Sequence, residues 1–169
     1  MSRHLVETTT DLVLNWIKSN LNAAILDVSS DRADNLSQFP TPEAGSYFIY
    51  PAAGYRAPAL FVIAEKFSKE KDRGANHINA KVSLNVNAVV EDKDRDTLTR
   101  MAWRYQAALD KILDQTEIVS SDGKVKIILV VMDAEFSPEY TKADDIDDPH
   151  ATFRKEVSLK IEALHIEGF

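Results

Sequence analysis

The sequence contains no cysteine, which excludes disulfide bonds, zinc sites built on thiolates and catalysis by a thiol. Glycine is also scarce: only five occur in 169 residues, and none forms a GxGxxG fingerprint or a phosphate-binding loop. Neither a GxSxG nucleophile elbow nor an HExxH zinc motif is present. Because these signatures are missing, we predict no catalytic residue, no cofactor and no metal ligand.

Long hydrophobic runs are missing as well. No apolar stretch approaches the roughly 18 residues that a membrane-spanning helix needs. The first ten residues contain Arg3 but no apolar core, so no secretory signal peptide is predicted. We therefore expect a soluble, cytosolic protein that does not bind a membrane.

Excess positive charge is the third absence. The chain carries 20 basic and 27 acidic residues, for a net charge of -7 and a pI near 5.1. Proteins that hold DNA or RNA through phosphate contacts need a basic surface, so this balance argues against nucleic-acid binding. Hydrophobic residues make up 44% of the chain, a typical globular content. The length is suited to one hydrophobic core, and we predict a single domain over residues 1–169.

The clearest pattern that is present is a long alternation of apolar and polar residues between Ile78 and Val90. Period-two alternation predicts a β-strand with one buried and one exposed face. At about 3.3 Å per residue the strand would span about 40 Å, roughly twice a common strand length. The apolar positions are Ile78, Ala80, Val82, Leu84, Val86, Ala88 and Val90.

An amphipathic helix is predicted directly after this strand, from Arg95 to Leu113, with Asp94 or Asp96 as its N-cap. Its apolar stripe consists of Leu98, Met101, Ala102, Tyr105, Leu109 and Ile112.

The other elements are assigned in the same way. A first helix is predicted over Thr8–Leu26, with one of the threonines 8–10 as its N-cap. The remaining strands are predicted at Ser46–Tyr50, Ala59–Phe67, Val125–Met132 and Phe153–Leu164. The apolar run Val125–Met132 is uninterrupted, which favours a strand covered on both faces.

The element order α-β-β-β-α-β-β predicts an α+β fold, in which two helices pack on one face of a single, mostly antiparallel sheet. The predicted core comprises Leu84, Val86, Leu98, Tyr105, Leu109, Ile127, Leu129 and Leu159.

One cluster of potential metal ligands is present, the acidic segment Asp144–Asp148, which lies in a predicted loop over Ser137–Pro149. Hard cations bind several carboxylate oxygens, and four aspartates in five residues could supply them. The glycine and the distant glutamate of an EF-hand are absent, so a solvated loop is the favoured interpretation. A metal-dependent enzyme or ligand-binding domain that uses this loop is kept as the alternative. None of the four histidines stands at metal-ligand spacing from another.

Trp103 falls about 140° around the second helix from Leu98, on the predicted exposed face. Tryptophan and arginine are enriched at protein interfaces, so we predict that Trp103 and the nearby Arg100 contact a partner. The alternative is that a loop such as Leu36–Phe39 covers the indole.

A second candidate interface is the charged segment Ser68–Asn76, predicted as a hairpin tip between two long strands. It contains Lys69, Lys71 and Arg73. A projecting tip of mixed charge would become ordered against a neighbouring subunit.

The order of these elements resembles the tail terminator, or tail completion, proteins of long-tailed bacteriophages. The resemblance covers about Leu5–Ile166 and is most specific over Val82–Leu109, where an alternating strand enters the second helix through the acidic turn EDKD.

The resemblance implies an α+β fold, no enzymatic activity and no catalytic residues. It also implies a homohexameric ring that caps the head-proximal end of the tail tube and joins it to the head–tail connector. The implied partners are further copies of the chain, the tail tube protein and the connector. The implied location is the virion tail or neck, after assembly in the host cytoplasm. Because each copy is acidic, DNA would pass through the ring without stable binding.

Overall fold

The computed structural model describes residues 4–32, 34, 39–70, 78–141 and 151–168. In this part of the chain there are two helices, α1 (Leu5–Ser30) and α2 (Arg95–Leu113). The strands are β1 (Tyr47–Phe48), β2 (Ala59–Glu70), β3 (Ile78–Asp92), β4 (Glu117–Val119), β5 (Val125–Phe136), β6 (Tyr140–Thr141) and β7 (Phe153–Glu167). No helix among the described residues is long and apolar enough to cross a membrane.

The strands form one sheet in the order β1-β2-β3-β7-β5-β4, and β6 pairs with the start of β7. β1 runs parallel to β2, whereas every other neighbouring pair is antiparallel. The predicted α+β fold with a mostly antiparallel sheet is confirmed. The short strands β4 and β6 were not predicted, because two or three residues are too few to show an alternation.

The centre of the sheet is the pairing of β3 with β7. The two strands are in register from Ile78 opposite Glu167 to Asp92 opposite Phe153. Val82, Leu84 and Val86 are at most 1% exposed, so the predicted register is confirmed. All eight residues of the predicted core are buried.

Helix α2 packs its apolar stripe on this central pair and has the predicted boundaries. The carboxylate of Asp94 accepts a hydrogen bond from the backbone N–H of Thr97 at 2.7 Å, which caps the helix. That bond holds the pKa of Asp94 below its usual value. Tyr105 is fully buried, and its hydroxyl donates to the carbonyl of Pro40 at 2.6 Å. A buried tyrosine therefore ties the loop before β1 to α2.

Helix α1 differs from its prediction at both ends. It begins at Leu5 with His4 as the N-cap residue, and it extends to Ser30. The hydroxyls of Thr9 and Thr10, instead of capping the helix, donate to carbonyls four residues earlier, each at 2.8 Å. The predicted cap was wrong because a threonine hydroxyl can also bond inside a helix.

Strand β5 is a second correction. Ile127 and Leu129 are fully buried beneath the helices, as predicted. However, Val130 is 41% exposed and Met132 is 63% exposed, so the strand is not covered on both faces. The register shifts between Val131 and Asp133. The uninterrupted apolar run therefore leaves apolar side chains on the surface of the isolated chain.

His165 joins the end of β7 to the start of α1. Its ring is fully buried, with Nδ1 2.8 Å from the Thr9 hydroxyl and Nε2 3.2 Å from a carboxylate oxygen of Glu167. Burial lowers the pKa of His165, and the hydrogen bond with Glu167 opposes that effect only in part. The folded protein thus favours the neutral imidazole.

We expect Leu109→Ala to lower the free energy of unfolding by about 2–5 kcal/mol, because Leu109 is fully buried between α2 and the sheet. Leu26→Ala is the matched control, since Leu26 on α1 is 59% exposed and its truncation should change stability by about 0.5 kcal/mol or less. Urea denaturation measures both variants, and equal effects would contradict the packing.

His165 should also make stability depend on pH. The pKa of His165 is lower in the folded state than in the unfolded state. The stability that the neutral side chain contributes is therefore present above the unfolded-state pKa of about 6.5 and is lost as the pH falls below that value. Urea denaturation between pH 8 and 5 should therefore show a shallower loss of stability for His165→Gln than for the unchanged chain. Identical slopes for the two proteins would argue against this role.

Candidate interaction surfaces

The described residues contain no group of three or more histidines and carboxylates close enough to hold a metal ion. The acidic segment Asp144–Asp148 lies outside the described residues, as do His77 and His150. Of the other histidines, His4 lies 3.0 Å from a carboxylate oxygen of Glu7, and His165 is buried as above. The metal-binding alternative for this segment therefore stays a hypothesis from the sequence.

Trp103 lies at the rim of a pocket between the C-terminal end of α1 and the outer face of α2. The indole is 55% exposed, on the side of α2 away from the sheet, where the helical periodicity predicted it. The pocket has a volume of about 340 Å³. It is here called the Trp103 pocket and is lined by Val28, Arg32, Asp34, Arg100, Trp103, Arg104 and Ala107.

The arginine of the pocket floor is held in place by its neighbours. Arg104 has a side chain only 8% exposed, and it forms an ion pair with Asp34. Its guanidinium lies 4.7 Å from the ring centroid of Phe39. Phe39 is buried and contacts Arg104 in this way, while Leu36 lies outside the described residues. Phe39 therefore contacts Arg104 and leaves the Trp103 indole 55% exposed, so among the described residues it does not cover the indole.

The rim of the pocket is positively charged on an otherwise acidic chain. Arg32 and Arg100 are exposed, and the guanidinium of Arg100 lies 3.7 Å from a carboxylate oxygen of Asp96 on the same helix. Three arginines and one aspartate line the pocket, and Asp96 stands beside Arg100 outside the lining, so the positive charges are in excess by one. Such a cluster makes the local potential positive and attracts acidic groups.

A second surface lies at the other end of α1. It is a groove of about 930 Å³ between the first turns of α1 and the far half of β2, here called the β2 groove. It is lined by His4, Leu5, Val6, Glu7, Thr10, Ile49, Ile63, Ala64, Phe67 and Lys69. Ile49 is 43% exposed and Phe67 is 41% exposed, so the groove presents apolar side chains to solvent.

The edge of the sheet is open beside this groove. β1 pairs only with Leu60 and Phe61, so the rest of β2 has no strand on its outer side among the described residues. An open edge with apolar side chains next to it is a typical docking surface for another chain.

The predicted interface residues are divided between these surfaces. Trp103 and Arg100 line the Trp103 pocket, whereas Lys69 lines the β2 groove. Lys71 and Arg73 lie outside the described residues. Helix α1 has 26 residues and is roughly 39 Å long, so the two surfaces stand far apart at its opposite ends.

An aromatic cluster on the face of the sheet away from the helices was missed in the sequence. Phe61 stacks on Phe48 with ring centroids 5.1 Å apart, and Tyr55 meets Phe61 edge-on at 5.0 Å. The guanidinium of Arg154 lies 5.0 Å from the Tyr55 ring, and its Nε donates to Glu91 at 2.7 Å. The only sequence signal was the density of aromatic residues in and after β1.

Tyr140 on β6 extends this cluster. Its hydroxyl donates to a carboxylate oxygen of Glu156 at 2.8 Å. Burial and then this hydrogen bond raise the pKa of Tyr140. The cluster covers Ala59 and Val89, which are almost fully buried, so we interpret it as a small second core.

Comparison with known proteins finds similar solved structures at low sequence identity. No family model and no curated protein matches the chain. One solved structure, a chain from the virion of a native gene transfer agent particle, has a TM-score of 0.44 and 15% sequence identity, covering 90% of this chain and 98% of that chain. A second has a TM-score of 0.40 and 14% identity, covering 88% of this chain and 94% of that chain.

Proposed function

We propose that this protein is a structural component of a phage virion. In this proposal six copies form a ring that caps the head-proximal end of the tail tube and joins it to the head connector. The protein acts by assembly and not by catalysis. The proposal rests on the resemblance in element order described above, together with the surfaces of the isolated chain.

The observation that carries the proposal is the pair of incomplete surfaces at opposite ends of α1. Large exposed apolar side chains next to a groove, an open strand edge or a charged pocket mark sites of protein contact. Trp103 is such a side chain at one end, and Phe67 is one at the other. In this proposal other polypeptide chains complete both surfaces.

Two different surfaces on one chain favour a head-to-tail contact. In such a contact a surface of one copy meets a different surface of the next, and the series closes into a ring when the rotation allows it. Further exposed apolar side chains, such as Met132 at 63% and Val119 at 47%, offer contact area to the tail tube protein or the connector.

The alternative function, a metal-dependent enzyme or ligand-binding domain, depends on the acidic segment Asp144–Asp148. Nothing in the described part of the chain favours it, and we do not propose it.

The proposal predicts the mass and shape of the purified protein. Native mass spectrometry and negative-stain images should show a ring of six copies, formed either by the protein alone or on added tail tubes. A protein that stays monomeric with tail tubes present, and that binds Mn²⁺ or Ca²⁺ tightly, would refute the ring and favour the alternative.

Within this experiment, Trp103→Ala should leave the chain folded but weaken the ring. Truncation of a central interface aromatic costs about 2 kcal/mol or more of binding, whereas loss of an exposed side chain changes stability by only about 0.5 kcal/mol. Trp16 is the matched control, because it is half-buried and its indole N–H donates to the carbonyl of Ile112 at 2.8 Å. Trp16→Ala should lower the melting temperature of the monomer instead. A Trp103 variant that unfolds would place the indole in the core.

The negative charge of the chain predicts that it does not bind DNA stably. Each copy carries a net charge of -7, and a ring multiplies this excess, so phosphates are repelled on average. A titration of fluorescent duplex DNA at physiological salt should show no stable complex. Submicromolar binding that weakens steeply with added salt would contradict this prediction.

A further inference from the structure

We infer that the Trp103 pocket receives the acidic segment Asp144–Asp148 of a neighbouring copy of this chain. The inference deepens the proposed ring and rests on it, since it names the groups that would join adjacent copies.

The pocket has the chemistry of an acceptor for carboxylates. Arg32 and Arg100 stand at the rim, and Arg104 lies at the floor with Asp34. Because Arg104 is buried and paired, it positions the floor, while the two exposed arginines are the groups that an incoming carboxylate meets first. Arginine forms two parallel hydrogen bonds with a carboxylate, which makes the contact directional as well as charged.

The pocket also has an apolar part. The Trp103 indole is 55% exposed, and Val28 and Ala107 continue the apolar surface on the two helices. At about 340 Å³ the pocket has room for a few side chains rather than for a whole protein domain. Its ligand should therefore be a short peptide that carries negative charge around an apolar side chain.

The acidic segment has this composition. Its residues are Asp144, Asp145, Ile146, Asp147 and Asp148, so one branched apolar side chain stands between two pairs of aspartates. In the proposed contact Ile146 packs on the Trp103 indole, and the flanking aspartates pair with Arg32 and Arg100. The segment lies outside the described residues, and only its sequence enters the argument.

Charge explains why such a contact would be needed. Copies with a net charge of -7 repel one another at long range. A place where opposite charges meet offsets this repulsion, and the arginine rim supplies the positive partner. The pocket and the segment are different features, so each copy offers one of each, and the resulting head-to-tail contact satisfies every pocket in a closed ring.

The test uses two charge-reversed forms of the full chain. The pocket-reversed form carries Arg32→Glu and Arg100→Glu. The segment-reversed form carries lysine in place of the four aspartates at 144, 145, 147 and 148. A control form carries Lys93→Glu and Lys124→Glu, two exposed lysines that do not line the pocket. The control changes the net charge as much as the pocket reversal does. Circular dichroism confirms that every form is folded.

Native mass spectrometry at physiological salt then measures association. Each reversed form alone should associate at least tenfold more weakly than the unchanged chain, because equal charges face each other at every contact. An equimolar mixture of the two reversed forms should restore assembly with equal numbers of each form, since every pocket again meets a segment of opposite charge. The control form should assemble like the unchanged chain.

Other outcomes overturn the inference in distinguishable ways. If both reversed forms still assemble alone, the pocket does not receive the segment, although the ring itself stands. If the mixture fails but one chain carrying both reversals assembles, the segment occupies the pocket of its own chain. If the unchanged chain never forms rings, even on tail tubes, the proposed function fails. Even then, pairing of the two reversed forms in the mixture would still support the contact.

Discussion

The antiparallel pairing of β3 with β7 is the interaction on which the other elements depend. The two strands are each 15 residues long, and their alternating apolar residues fall on the same face of the sheet. Both helices pack on that face. β2 and β1 continue the sheet beyond β3, and β5 and β4 continue it beyond β7. Burial of this face supplies the hydrophobic stabilisation of the fold, so the helices could not keep their positions without it.

This arrangement also decides where function can reside. The helix side of the sheet is filled with buried side chains, and the aromatic cluster around Phe61 fills one part of the other side. The candidate contact surfaces therefore lie at the ends of α1, where neighbouring elements stop short. At one end β1 is too short to cover β2, and at the other the arginines and Trp103 stand beyond the packed stripe of α2.

Much of this was predictable where one pattern decides the outcome. The boundaries of α2 and the register of β3 followed from periodicity, because an element with one buried and one exposed face has regularly spaced apolar residues in its sequence. The exposure of Trp103 followed from the same argument. The interpretation of β5 was wrong, because an uninterrupted apolar run has no period, and Val130 and Met132 face solvent in the isolated chain. The start of α1 was also wrong, since Thr9 bonds inside the helix and to His165, which is distant in sequence.

The amino-acid order by itself determined the α+β class, the two amphipathic helices, the long central strand and the face on which Trp103 stands. These features depend on local spacing, which a single sequence records. Only the tertiary structure decided that Arg104 and Asp34 meet beneath Trp103, that β1 leaves most of β2 open, and that His165 is enclosed against Thr9. Each of these contacts joins residues distant in the chain, and their proximity arises from packing that no local pattern specifies.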